Sequence, residues 1–407
     1  MKNHPKLPLI TLLVGVFVLQ VETAYAIPGF ARKYGMSCTT CHTMFPKLKE
    51  FGEEFAGNAF VMEGQEPRRA NTDTGDELLL LQRDFPVAVR FDVFAQAQTN
   101  DDHPTADFQT PWGVKLLSGG NVTEKIAYYF YFYMSEHGEV VGVEDAYLYF
   151  SNIFGSGIGA AVGQFQVCDP LFKRELRLTY EDYQLYKVRV GYVPTNLAYD
   201  RGIMLDWGAP WGTDIFLEVV NGNGIGESEG GYYDGDNYKN VFLRASQGFG
   251  PLRLGAFGYH AVSSAEYGQD NSMLVGGPDA TLSAGPLEIN FQYLWRQDDN
   301  PFCVREEFVP DDPVITTGEL VEIIMSPQGD RSRWNLVGLY NRVDSNIRDH
   351  WTIYMYPAFP EEYDIDYESI GLTANYLVAR NLRLLAEVKY DLEAEQSRFV
   401  MGFVAAF

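Results

Sequence analysis

The strongest constraint on this chain is an alternation that runs from Pro86 to the last residue. In VAVRFDVFAQAQ, Val87, Val89, Phe91, Val93, Ala95 and Ala97 fall on one face, and Arg90, Asp92, Gln96 and Gln98 on the other. LEINFQYLWRQ repeats the pattern, with Leu287, Ile289, Phe291, Tyr293 and Trp295 set against Glu288, Asn290, Gln292 and Arg296. LRLLAEVKYD does the same, with Leu382, Leu384, Ala386, Val388 and Tyr390 opposite Arg383, Glu387, Lys389 and Asp391. A period of two marks a strand with one apolar and one polar face. No segment beyond the first 26 residues has an apolar run long enough for a membrane-spanning helix.

A soluble β-sandwich alternates too, so the pattern alone leaves two architectures open. Two features favour a transmembrane barrel. The segments number about sixteen, and apolar-out, polar-in strands of this kind are what membrane barrels use. The chain also ends in FVMGFVAAF, with Phe399, Met401, Phe403, Ala405 and Phe407 apolar at every second position. That ending resembles the C-terminal signal of outer-membrane barrels. Bacterial barrels have an even number of strands, and seventeen segments are candidates. The weakest, ELVEIIMS at 319–326, is flanked by acidic and Pro-rich sequence and is dropped. The predicted strands are then 85–93, 109–118, 125–135, 143–152, 157–166, 198–206, 213–221, 238–247, 251–262, 271–284, 286–297, 331–342, 350–357, 366–377, 381–391 and 397–407. Short links such as GGNVT, GAPWG, QGFG and VARN fall on the periplasmic side, and the long ones, 167–197, 222–237, 298–330 and 358–365, fall outside. The stretch 169–191 reads either as a loop folded into the lumen or as two further short strands.

Composition agrees with this and excludes one class of partner. The 26 Tyr and 27 Phe come without long apolar runs in the barrel region, as alternating strands require. A formal net charge of -24 argues against nucleic acid, because phosphate binding needs clustered Lys and Arg. The first 26 residues read as an export signal. Lys2 and Lys6 precede an apolar run from Leu7 to Leu19, and Ala24-Tyr25-Ala26 is a small-x-small cleavage site. The run is short for a membrane anchor, which needs about 20 apolar residues.

Between signal and barrel lies a different unit. Residues 27–63 carry GMSCTTCHTMF, with Cys38 and Cys41 two residues apart and His42 following at once. This is the attachment signature of c-type haem. Both thiols bond the vinyl groups of the ring, and the adjacent histidine lies beneath the iron as proximal ligand. A thioredoxin-like pair would sit at a strand-to-helix turn of a βαβ unit, and none is readable. A zinc site needs further Cys or His nearby, and the next is His103. One covalent haem c is therefore predicted. No second histidine lies in residues 27 to 85. Met36 and Met44 sit too close to the attachment site to reach the far face of the ring, so Met62 is the candidate for the sixth position. The alternative is that Met62 packs on the haem edge while water or a distant residue takes that place. Phe45, Leu48, Phe51 and Phe55 follow at helical spacing. So short a segment can hardly bury a core of its own, and those rings are predicted to need the haem or the barrel's periplasmic mouth as cover. Residues 64–85 read as a linker to the barrel, 86–407.

Cys168 and Cys303 both fall in predicted outer loops, either joined as a disulfide or as two unpaired thiols. Asp298, Asp299, Glu306, Glu307, Asp311 and Asp312 cluster in one such loop, either merely solvated or gathering cations.

IPGFARKYGMSCTTCHTMFPKLKEFGEEFAGNAFVMEG followed by a barrel resembles the outer-membrane monohaem cytochrome–porin fusions, which include the iron-oxidising outer-membrane cytochromes. The shared features are the Pro-x-Phe-Ala-Arg opening, the single CxxCH, Pro46-x-Leu48 and Phe51-Gly52. Asn58-Ala59-Phe60 departs from the Gly-Tyr or Gly-Phe expected there. Over the barrel the resemblance is one of architecture. It implies outer-membrane electron transfer through one covalent haem c, with extracellular Fe(II) as donor and a periplasmic c-type cytochrome as acceptor. An outward electron exporter with multihaem partners, and a solute porin with a structural haem, stay open. The expected fold is thus mainly β: an antiparallel transmembrane β-barrel of about sixteen strands in outer-membrane lipid, preceded by a small α-helical haem c segment.

Overall fold

The computed structural model describes residues 29–62, 71–99, 104–193, 195–226, 230–264, 269–304, 309, 312–354 and 363–407, the last four residues of 312–354 by backbone alone. The export signal, the first part of the linker, His103, Glu306, Glu307 and Asp311 lie outside the described residues.

Sixteen antiparallel strands close into one barrel. They are β1 (Val87–Thr99), β2 (Thr105–Asn121), β3 (Ile126–Glu136), β4 (Gly142–Phe150), β5 (Ile158–Gln166), β6 (Tyr199–Gly208), β7 (Thr213–Val220), β8 (Asn240–Phe249), β9 (Leu252–Ser263), β10 (Asn271–Ala284), β11 (Leu287–Asp298), β12 (Val314–Met325), β13 (Trp334–Ser345), β14 (Tyr367–Ala379), β15 (Leu382–Asp391) and β16 (Gln396–Ala406). Each pairs with its neighbours in the chain, and β16 closes on β1 with Phe399 opposite Ala97 and Val404 opposite Asp92. Closure leaves no unpaired strand edge, which is the condition for a sheet to cross hydrocarbon. The alternation decides which face is which. Leu372, Val388 and Phe399 are exposed outward, while their chain neighbours Thr373, Glu387 and Val400 are buried inward. One end carries short turns, such as 209–212, 250–251 and 380–381, and the other carries the long connections 167–198, 221–239 and 346–366. In bacterial barrels the short-turn end is periplasmic.

The strand count matches the expectation, but one member does not. Segment 319–326, dropped above, belongs to β12, which has full ladders to β11 and β13. Segment 350–357, expected as a strand, instead begins within a helix, Ile347–Tyr354. The two errors cancel in the count, but they invert the direction expected for Trp334–Ser345, which climbs from the short-turn end. Their physical reasons differ. In β12 the inward Leu320 and Ile324 are as apolar as the outward Ile323, so the polar-in contrast is lost. In the helix, Ile347, Trp351 and Tyr354 recur at i, i+4 and i+7, a helical period hidden among aromatics. The Ser345 hydroxyl accepts the Ile347 amide at 3.2 Å and starts the turn.

Apolar residues are tolerated inside because the lumen is filled. Residues 167–198 leave β5 and fold inward; they form neither an outer loop nor two further strands. Val167, Tyr183, Leu185, Tyr186 and Leu197 share a buried cluster with Phe242, Tyr259, Met273, Leu294 and Leu320 of the wall. Polar contacts fasten this plug. Glu387 accepts the amides of Tyr180 at 2.7 Å and Glu181 at 3.1 Å, Arg398 pairs with Glu181 at 2.5 Å, and Lys115 pairs with Glu175 at 3.0 Å. Inward charged groups are buried around the whole circumference, among them Asp92, Asp145, Glu218, Arg244, Asp279, Arg296, Glu322 and Glu387. In a water-filled channel such side chains would be wet.

This corrects the expectation for Cys168. It lies inside the barrel, fully buried, with its thiol 3.7 Å from the Gln166 Oε1. Cys303 is partly exposed, and both thiols are free. Asp298 is likewise no free loop carboxylate, because Arg296 pairs with it at 2.7 Å and Asn271 donates to it at 2.9 Å.

Candidate functional site

Among the described residues three short helices precede the barrel: α1 (Gly29–Tyr34), α2 (Cys38–Cys41) and α3 (Glu50–Gly57). The helix in 347–354 is α4. The Ser37 side chain caps α2 by accepting the Thr39 amide at 3.3 Å, as Ser commonly does at this position. One helical turn then separates Cys38 from Cys41 and sets both thiols on one side. The His42 amide closes the turn on the Cys38 carbonyl at 2.9 Å, and His42 itself is extended.

The imidazole is held from behind. His42 Nδ1 lies 3.0 Å from the Pro46 carbonyl and 3.3 Å from that of Lys47. A carbonyl can only accept, so Nδ1 carries the proton and Nε2 presents its lone pair. Backbone carbonyls of this kind fix the tautomer of metal-binding histidines. Burial pushes the imidazole below its ordinary pKa, with the two carbonyls acting against it. The ring is therefore neutral at neutral pH, as metal ligation requires. Burial raises the Cys38 and Cys41 thiols.

Helix α3 lies directly on this turn. A Cβ on Gly52 would stand 2.2 Å from the Cys41 carbonyl oxygen, so only glycine permits the approach. Phe55 reaches across to Phe30 at 5.9 Å and Tyr34 at 5.3 Å, and Phe30 stacks on Phe60 at 4.2 Å.

The whole segment sits in the short-turn mouth of the barrel. Met44 is buried in one cluster with Leu178 of the plug and Ile324, Val337 and Leu377 of the wall. Phe45 packs on the cluster of Phe94, Leu385 and Val404. Lys47 pairs with Glu288 at 2.6 Å and Lys49 with Asp330 at 3.2 Å. On the opposite arc, Phe60 meets Tyr129 at 5.2 Å, and Val61 packs with Ala127, Tyr149 and Ala161. The structure therefore brings Cys38, Cys41 and His42 together on the side of β11 to β15. Met62 follows Val61, on the arc of β3 to β5. Met44 is consumed in the core.

The described part of the linker, from residue 71 on, lies along the outside. Asn71–Thr72 pairs with Leu81–Gln82, and Phe85 stacks on Tyr128 at 6.2 Å, on the outward face of β3. What sequence reasoning missed is that two inward wall cations reach the plug: Arg90 donates to the Glu175 carbonyl at 3.1 Å and Arg383 to the Leu178 carbonyl at 3.2 Å. The polar-face assignment of Arg90 and Arg383 was available, but their contacts with the Glu175 and Leu178 carbonyls depend on the plug.

These features fit a covalent haem: two free thiols on one helical turn and a neutral, oriented imidazole beside them. Among the described residues there is no group of three or more His, Cys, Asp or Glu arranged to hold a metal ion by itself.

No protein-family model matches the sequence, and no curated protein matches it. Solved structures do. An anion-selective porin from Comamonas acidovorans is similar with a TM-score of 0.56 at 10% identity, covering 80% of this chain and 99% of that one. A loop L8 deletion mutant of OmpT, an outer membrane protein of Vibrio cholerae, has a TM-score of 0.52 at 13% identity, covering 80% and 99%. Salmonella typhi OmpF in complex with daunomycin has a TM-score of 0.51 at 9% identity, covering 79% and 97%. At these identities the likeness is one of fold. It defines the class: a porin-like outer-membrane β-barrel of sixteen strands.

Proposed function

We propose that this barrel is an outer-membrane electron-transfer protein. One haem c would be held by the thiols of Cys38 and Cys41, with His42 and Met62 as its protein ligands. Electrons pass from extracellular Fe(II) to a periplasmic c-type cytochrome. The observation that carries this reading is the seat of the CxxCH turn: it is oriented by its own backbone and wedged into the periplasmic mouth of a barrel whose lumen is filled.

When bound, the haem supplies reversible one-electron exchange, at a potential set by its ligands and burial. The chain does the rest. Ser37 and the α2 turn present the thiols. The Pro46 and Lys47 carbonyls hold the proton on His42 Nδ1, which leaves the Nε2 lone pair free to hold a metal. Met44, Phe45 and Lys47 hold the turn against the wall. The plug excludes bulk water and solutes. Fe(II) suits a single-haem protein because it gives one electron. Ferric iron precipitates near neutral pH, so oxidation at the surface keeps mineral out of the cell.

The likeness of fold to porins favours a second reading, a solute channel in which the haem is structural. Burial of the inward charges counts against free diffusion through it. Purified wild type should stain for haem after denaturing electrophoresis and be reduced on rapid mixing with Fe(II) at neutral pH. Cys38→Ser with Cys41→Ser should abolish the stain while the barrel still folds. Staining that survives both substitutions overturns the attachment site. A stained wild type that Fe(II) cannot reduce overturns the donor. Met62→Ala should lower the midpoint potential, because loss of thioether ligation favours the ferric state. An unchanged spectrum removes Met62 as a ligand.

A further inference from the structure

We infer that Arg383 binds a carboxylate of the haem and holds it from the lumen side; this rests on the haem reading above. The side chain is buried, only 1% exposed. Its NH1 donates to the Leu178 carbonyl at 3.2 Å, and its Nε has no partner. No carboxylate among the described residues forms an ion pair with it. The neighbouring cations are already matched: Arg90 pairs with Asp92 at 2.9 Å, Lys115 with Glu175 at 3.0 Å and Arg174 with Asp182 at 2.5 Å. An unpaired guanidinium taken out of water is strongly disfavoured unless an anion joins it.

Position points to which anion. Leu377, the cross-strand partner of Arg383, belongs to the buried cluster of Met44. Leu385, two residues further along the same inward face, belongs to the cluster of Phe45. Leu178, whose carbonyl Arg383 holds, also shares the Met44 cluster. Arg383 is thus bracketed by the clusters of Met44 and Phe45, two and three residues after His42. The β14–β15 turn, 380–381, lies below at the short-turn end. Three residues of strand carry Arg383 about 10 Å further in. In a c-type haem the vinyl edge is bonded to the cysteines, and the two propionates project from the opposite edge. A guanidinium fork matches a carboxylate in two parallel hydrogen bonds, so Arg383 is suited to receive one.

The test compares Arg383→Gln and Arg383→Lys with wild type as full-length folded barrels, with folding checked by heat-modifiable migration. Haem stain, midpoint potential and the propionate bands in resonance Raman are read on each. The glutamine variant is expected to keep its covalent haem, to show a lower midpoint and to shift the propionate bands. Lysine should restore the potential in part and the band positions less. Two results overturn the inference. One is a stained glutamine variant with wild-type potential and bands, which leaves Arg383 as a tie to the plug alone. The other is that added phosphate or chloride moves the wild-type potential as far as the substitution does, which assigns the site to a free anion. A wild type that carries no haem at all instead sinks the function proposed above and withdraws the propionate as ligand with it.

Discussion

Gly52 is the position where the site is most sensitive to a single atom. A methyl group there meets the Cys41 carbonyl at 2.2 Å, so Gly52→Ala must move either α3 or the attachment turn. Overpacking of this kind costs about 1–3 kcal/mol. The expected outcome is a barrel that folds with sharply reduced haem stain and an N-terminal segment that limited proteolysis removes faster. Wild-type staining and resistance would show that α3 does not support the turn. Cys168 gives a second test at this scale. It is fully buried in the lumen, while Cys303 is partly exposed. An impermeant thiol reagent on intact cells should leave Cys168 unmodified until denaturation. Ready labelling of Cys168 would place residues 167–198 outside the barrel. The candidacy of His42 as a haem ligand could be read from CxxCH alone, but its tautomer could not. That depends on where the Pro46 and Lys47 carbonyls turn, and no spacing announces it.

The element that separates the two proposed readings is the plug. Glu387 is its main latch, accepting the Tyr180 and Glu181 amides and the Thr373 hydroxyl at 2.8 Å while Arg398 approaches at 3.3 Å. Removing one partner of a buried charged network costs about 3–5 kcal/mol. In planar bilayers, Glu387→Ala should convert a nearly silent barrel into one with frequent conducting events, and deleting 171–195 should open it steadily. Porin-like conductance in the wild type would mean that the plug does not close the lumen. Most strands were legible because lipid outside and polar groups inside give a clean period of two. β12 failed because the plug makes its inward side apolar as well: Leu320 and Ile324 pack where a wet lumen would demand polar residues. A long connection that could lie outside or fold inward reads alike in sequence, since both need mixed charge and aromatic content.

At the scale of the whole molecule, the barrel, plug and N-terminal segment form one filled body. The wall provides passage through the membrane, the plug removes the aqueous path, and the CxxCH turn occupies the periplasmic end. The proposed electron transfer requires such an arrangement, in which charge would move and solutes would not. The number and alternation of the strands and the attachment motif were all present in the sequence. How they combine was not, because it depends on contacts between residues far apart in the chain, such as Lys47 with Glu288 and Met44 with Leu377. The most direct test uses proteoliposomes with a c-type cytochrome trapped inside and a bulky Fe(II) chelate outside. The trapped cytochrome should be reduced through the wild-type barrel, and Cys38→Ser with Cys41→Ser should stop it while the liposomes stay sealed. Equal reduction through the haem-free variant, or none through a fully haem-loaded wild type, would contradict electron transfer as the function of this barrel.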